Sequence, residues 1–372
     1  MKKFSLQTTI LQMDTCKELC EYFKIGEGDL LFLSEKCHKG FFRDYAKGAK
    51  FLFRTDYGVG EPTDVMVEQI YDAIKAEDIS RVFAIGGGTV IDVAKLFALE
   101  HFTPIEDLFY TKKITPKKGR ELIVVPTTCG TGSEVTNVSI LELTKLETKL
   151  GLADDILYPD YAALVPELID GLPYAVFATS SIDALIHATE SYLSPKATKF
   201  SQSFSVEAIR LILSGYREVA EKGKEDWKKR KTEFLLASNY GGIAFGNAGT
   251  GAVHAMSYPL GAKYHIPHGE SNYVIFVEVL KKYLEKKPKG VIQELNLLFA
   301  EQLECSVERV YQELEKLLEK ILPKKLLHEY GVKEEELLAF TDNVMTKQGR
   351  LMANNYVTLE EMDILQMYKN LY

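Results

Sequence analysis

The chain has 372 residues, 46% hydrophobic and 26% charged, with a net charge of −8 at pH 7. That is the make-up of a soluble globular protein long enough for two domains. The acidic balance excludes a protein built to neutralise nucleic-acid phosphates. No window holds the roughly 18 apolar residues of a spanning helix, and MKKFSLQTTILQMD lacks an apolar signal-peptide core. A cytoplasmic protein with neither membrane nor nucleic acid as partner is expected.

The first half alternates short apolar runs with helical patterns. DLLFLSE (29–35) and AKFLF (49–53) read as buried parallel strands. EPTDVMVEQIYDAIKAE (61–77) reads as a helix with Pro62 in its first turn. RVFAIG (81–86) is a strand leading to the helix TVIDVAKLFALE (89–100), and ELIVVP (121–126) and AALVP (162–166) are further strands. VTNVSILEL (135–143) reads as an additional hairpin strand. This order predicts an α/β doubly wound dinucleotide-binding domain over residues 1–170. From 171 to 372 the 3.6-residue period takes over, which predicts an all-α domain. The five cysteines, Cys16, Cys20, Cys37, Cys129 and Cys305, form no CxxC pair and read as reduced structural thiols.

Two loops in the first domain suit a nucleotide. In RVFAIGGGTVIDVAK a strand runs through three glycines into a helix start, where backbone N–H groups and the helix dipole favour a pyrophosphate. The pattern is not GxGxxG, so a plain tight turn is an equal explanation. VVPTTCGTGSEVTN offers Thr127, Thr128, Thr131 and Ser133 at the end of another strand. Glu35 stands where a carboxylate would accept from a ribose 2′-hydroxyl, or would simply be solvated.

The second domain carries metal-ligand chemistry. In SSIDALIHATE, Asp183 and His187 are four apart and share a helix face. Ser180 and Asp183 also have capping-box spacing, and His187 alone would pass for a hydrogen-bonded core histidine. HAMSYPLGAKYHIPHG (254–269) adds His254 on a helical segment, and His265 and His268 near a turn. One aspartate and three histidines suit Fe²⁺ or Zn²⁺. Spacing leaves His265 and His268 as alternatives for the fourth ligand.

AIGGGTVIDVAK, PTTCGTGSEVT, DALIHATESY and HAMSYPLGAKYHIPHG together resemble the iron-containing (group III) alcohol dehydrogenases, which have the dehydroquinate-synthase-like fold. The resemblance implies metal ligands at Asp183, His187, His254 and His268. It implies cofactor contacts at Gly87, Gly88, Thr89, Asp92, Thr127, Thr128, Thr131 and Lys149. Glu35 in this setting goes with NAD rather than NADP, and Fe²⁺ ranks ahead of Zn²⁺. YGVGEP (57–62), FGNAGTGAVHAMSYP and the ending NNY…LY are similar to the branch of NAD-dependent 4-hydroxybutyrate dehydrogenases. The implied reaction interconverts 4-hydroxybutyrate and succinate semialdehyde, by hydride transfer with the metal as Lewis acid on the substrate oxygen. Rival reactions are oxidation of an uncharged alcohol or diol, and hydroxyacid–oxoacid transhydrogenation. A homodimer or higher homo-oligomer is also implied.

The chain departs from the family at three points. Tyr258 stands where many members have a second histidine, His265 precedes His268 by three, and Glu61 replaces a common asparagine. Tyr258 and His265 are therefore the expected catalytic proton relay. His265, Lys263 and Arg350 are the expected partners of a substrate carboxylate, unranked by sequence.

Overall fold

Six strands lie side by side in the order β1-β8-β5-β4-β2-β3. They are β1 (Thr9–Gln12), β2 (Asp29–Leu33), β3 (Lys50–Phe53), β4 (Arg81–Gly86), β5 (Glu121–Pro126) and β8 (Tyr161–Leu164), and every pairing is parallel. A separate antiparallel hairpin joins β6 (Val138–Leu143) to β7 (Thr148–Ala153). This computed structural model describes all residues except Met1, Val59, Glu61 and Glu147, and the side chains of Thr148 and Lys149.

The sheet is apolar on both faces because its strands alternate between two cores. Leu30, Phe32, Val82, Ala84, Leu122 and Val124 enter one core, and Leu31, Leu33, Phe83, Ile85, Ile123 and Val125 the other. The first core is closed by α3 (Asp64–Ile74), α4 (Gly88–Phe97) and α5 (Ile105–Phe109). The second is covered by α1 (Cys16–Phe23), with the single turn α2 (Glu35–Cys37) following β2.

Three local expectations are corrected. Strand β1 is absent from the sequence reading because TILQ is an edge strand without an apolar run. Helix α3 begins at Asp64 with the Thr63 hydroxyl capping Met66 N, so Pro62 lies before the cap and not in the first turn. Ser180 is deep inside α6 (Tyr174–Leu193), so Ser180 and Asp183 form no capping box.

The helical unit continues with α7 (Lys199–Lys222), α8 (Lys231–Ala248), α9 (Ala252–Tyr264), α10 (His268–Lys286), α11 (Val291–Leu303), α12 (Val310–Ile321), α13 (Leu337–Lys347), α14 (Gly349–Met352) and α15 (Glu361–Leu371). Helix α6 is its centre: from Phe177 onward only Thr179 and Ser180 escape burial. Gly241 of α8 passes so close to α6 that an added Cβ would sit 3.2 Å from Ala184 O. Among the described residues, no helix is long and apolar enough to cross a membrane.

The chain falls into two compact units, Leu6–Leu172 and Met1–Ser5 with Pro173–Tyr372. The sequence reading counts residues 1–170 as the α/β domain, but contacts of Lys2, Phe4 and Ser5 tie this segment to the helices. Lys2 Nζ donates to Ala197 O at 2.7 Å, Ser5 N donates to Asn247 Oδ1 at 2.7 Å, and Phe4 stacks on Phe204 at 5.9 Å.

Candidate functional site

In the α/β unit, β3 lies beyond β2 while β4 returns to the opposite side of β2, so the chain reverses its winding there. Such a switch point, at the carboxyl ends of the strands, is where open α/β sheets take ligands. Glu35 follows β2 and Gly87 follows β4, one on each side of it. Glu35 is exposed and pairs with Lys39 Nζ at 3.0 Å.

Gly87 caps α4, with Gly88 and Thr89 in the helix's first turn. Thr127 N donates to Gly86 O at 3.1 Å, which holds the loop after β5 against the loop after β4. An added Cβ on Gly88 would lie 2.9 Å from Thr131 Cγ2, and one on Gly87 3.4 Å from Thr128 Cγ2. The glycines thus admit the neighbouring threonines. Thr127, Thr128 and Thr131 remain half-buried at the loop surface.

Asp92 is committed to protein contacts. It accepts from Ser133 Oγ at 2.6 Å and Ile140 N at 3.2 Å, and its carbonyl from Ser139 Oγ at 2.7 Å. Lys95, fully buried, donates to Ser133 Oγ, Thr136 Oγ1 and Val138 O at 2.9, 3.1 and 2.7 Å. Burial pushes the Lys95 ammonium down to about 8, against the pull of Asp92 and Glu134. Together Asp92 and Lys95 brace the threonine loop and the hairpin on α4. Lys149 lies on β7 with its side chain outside the described residues, and Glu61 lies outside them altogether.

The helical unit brings four separated residues to one point. Asp183 and His187 project from α6, His254 from α9, and His268 is the first residue of α10, capped by Pro267. Their ligand atoms all lie within 4.8 Å of one another. Asp183 Oδ1 is 3.8 Å from His254 Nε2 and 3.9 Å from His268 Nε2. The rings of His187 and His254 stack at 4.8 Å. Three of the four residues are buried and His268 is exposed, so the cluster is open on one side. His265 is not part of it. That residue ends α9 with a left-handed φ of 54° and an exposed side chain.

Two residues not singled out in the sequence hold this cluster. Glu190, buried on α6, accepts Val253 N at 2.7 Å through Oε1 and places Oε2 2.6 Å from His254 Nδ1. Nδ1 must then carry the proton, leaving the Nε2 lone pair aimed into the cluster. Asn272 Nδ2 donates to Asp183 Oδ1 at 2.7 Å and lies 3.2 Å from both His254 Nε2 and His268 Nε2. Asn272 Oδ1 is buried without a partner. An N–H group lying amid converging lone pairs marks a place built for positive charge, which a divalent cation fits.

The electrostatics agree. Burial alone would raise the Asp183 carboxyl, but the fields of His187, His268 and His254 and the Asn272 hydrogen bond hold it below the usual range. Burial also opposes charge on His254, yet the hydrogen bond and charge of Glu190, with Asp183, lift it above the ordinary value. Tyr258 is half-buried, its ring 6.1 Å from that of His268. A signal for Glu190 exists in the sequence: Asp183, His187 and Glu190 recur on one face of α6.

Residues 10–166 match the iron-containing alcohol dehydrogenase family, and residues 177–372 match the family's C-terminal region. Over 372 residues, all of both chains, the sequence is 49% identical to a 4-hydroxybutyrate dehydrogenase of Clostridium kluyveri. It is 36% identical to long-chain-alcohol dehydrogenase 1 of Geobacillus thermodenitrificans, over 86% of this chain and 83% of that one. The fold matches a sulfoacetaldehyde reductase from Bifidobacterium kashiwanohense, solved in complex with NAD+, with a TM-score of 0.86, 24% identity, and 100% and 98% of the two chains covered. With both halves matched in order, the chain belongs to the iron-containing alcohol dehydrogenase family.

Proposed function

We propose that this protein is an NAD-dependent oxidoreductase interconverting 4-hydroxybutyrate and succinate semialdehyde. The observation that carries this reading is the 49% identity, end to end, with a 4-hydroxybutyrate dehydrogenase. The convergence of Asp183, His187, His254 and His268 supports the reaction class.

Those four side chains would hold a divalent metal, with Fe²⁺ ahead of Zn²⁺, which supplies Lewis-acid polarisation of the substrate oxygen when bound. NAD supplies the hydride acceptor. The N–H groups at Gly87 and Gly88, with the hydroxyls of Thr89, Thr127, Thr128 and Thr131, suit its phosphates, and Glu35 suits a ribose hydroxyl. Asp92 acts by holding the loop after β5 on α4. Glu190 fixes the tautomer of His254, and Asn272 orients the Asp183 carboxylate. Of the two residues expected to relay the proton, Tyr258 has the better position, beside His268 at the open side of the cluster. His265 faces outward from the end of α9.

The test is anaerobic reconstitution of metal-free protein with Fe²⁺, Zn²⁺ or no metal. NADH oxidation is followed with succinate semialdehyde, butanal and lactaldehyde. Metal-dependent turnover fastest with succinate semialdehyde is expected. No turnover of any aldehyde with either metal overturns the dehydrogenase reading, and equal turnover of butanal overturns the hydroxy-acid reading.

A further inference from the structure

A four-carbon hydroxy acid brings a carboxylate to the same pocket as its hydroxyl. Once desolvated, that carboxylate requires a cation or N–H donors. The requirement rests on the substrate reading above, and the helical unit contains three candidates, His265, Lys263 and Arg350, that sequence alone cannot rank.

The structure ranks them. Lys263 is paired with Glu336, whose other carboxylate oxygen accepts from the Tyr264 hydroxyl. Its charge is already spent. His265 sits at the exposed left-handed end of α9, outside the ligand cluster. Arg350 has neither an ion pair nor a hydrogen bond among the described residues, and its side chain is exposed.

Arg350 also lies on an anchored segment. Helix α14 packs on α9, the helix that carries His254, and Leu351 is buried. Just beyond it, Asn354 Nδ2 donates to Ala248 O at 2.9 Å and Thr250 O at 3.0 Å, while Asn355 Oδ1 accepts from the buried Tyr283 hydroxyl at 2.9 Å. An added Cβ on Gly251 would lie 2.7 Å from Asn355 Oδ1, so this segment presses on the residues that start α9. An uncommitted cation is thus held on a fixed backbone that packs on the helix bearing His254.

We propose that the Arg350 guanidinium binds the substrate carboxylate and so selects ω-hydroxy acids and their semialdehydes over uncharged alcohols and aldehydes. A planar fork receives a carboxylate through two parallel N–H donors, which fixes orientation as well as charge. Arg350 is a specificity-determining residue in this arrangement, and the metal cluster treats the oxygen at the other end of either substrate alike.

The test compares metal-loaded parent, R350A, R350Q and R350K enzymes with succinate semialdehyde and butanal, with bound metal measured for each. The kcat/KM ratio for succinate semialdehyde over butanal should fall about 30- to 100-fold in R350A and R350Q, chiefly through KM of the semialdehyde. R350K should recover part of it, having the charge without the fork. An unchanged ratio in both R350A and R350Q, with a parent that prefers succinate semialdehyde, overturns the assignment and leaves the substrate reading standing. A parent with no such preference overturns both. Equal losses on the two aldehydes together with lost metal identify a structural role and also overturn it.

Discussion

Glu190 Oε2 lies 2.6 Å from Nδ1 of His254, and both side chains are buried. The carboxylate is a hydrogen-bond acceptor only, so it dictates which imidazole nitrogen keeps a lone pair. Glu190→Gln keeps the shape and removes the charge. Its affinity for Co²⁺, read anaerobically from visible absorption, should fall about 10- to 100-fold. An affinity matching the parent's would mean that Glu190 only fills space.

Gly269 follows His268 at the start of α10, where the helix crosses α6. An added Cβ would lie 2.1 Å from Thr179 O and 3.3 Å from Asp183 Cβ, and backbone cannot yield as a side-chain tip does. Gly269→Ala should cost about 1–3 kcal/mol in urea unfolding and weaken metal retention, because α10 must move off the helix bearing Asp183. Gly40, with nothing within 4 Å of its Cβ position, serves as the control. A Gly269→Ala protein as stable as Gly40→Ala would show that the helices have slack.

Lys95 predicts an unusual pH dependence. Its folded value of about 8 is below the ordinary 10.5, because burial disfavours the ammonium. Below pH 8 the group is protonated in both states and the penalty is constant. Between about 8 and 10.5 the folded protein has shed the proton and the unfolded chain still holds it, so stability rises with pH by about 3 kcal/mol in all. The stability of the parent minus that of Lys95→Met, from urea unfolding, should therefore rise from pH 7 to pH 9. The difference cancels ionisation of the buried thiols, which both proteins share. A flat or falling difference would contradict the direction.

What could be read from the sequence follows physical lines. Strands β2, β4 and β5 are legible because burial on both faces makes them unbroken apolar runs. Strand β1 pairs on one side only, so its residues need not be apolar, and nothing in TILQ marks it. Asp183 and His187 are visible as a pair because one helix turn brings them together. The contact of Glu190 with His254 spans 64 positions and depends on how α9 packs, which no local pattern encodes. The choice between His265 and His268 follows the same rule. One ends a helix and the other begins the next, and only the path of the turn separates an outward side chain from one that joins the cluster.

The contacts of Lys2, Phe4 and Ser5 with the helices make the α/β unit, in chain order, an insertion within the helical one. During synthesis Lys2, Phe4 and Ser5 must wait until Ala197, Phe204 and Asn247 have been made before they find their partners. During that wait the sheet can close alone, since all its strands lie between residues 9 and 164. A fragment starting at Pro173 would lack the residues that cover Phe204 and pair with Asn247, and it would be a poor stand-in for the helical unit. An affinity tag at the amino terminus would likewise burden α7 and α8 rather than the sheet next to it in sequence. Fusions intended to spare the metal cluster are better joined elsewhere.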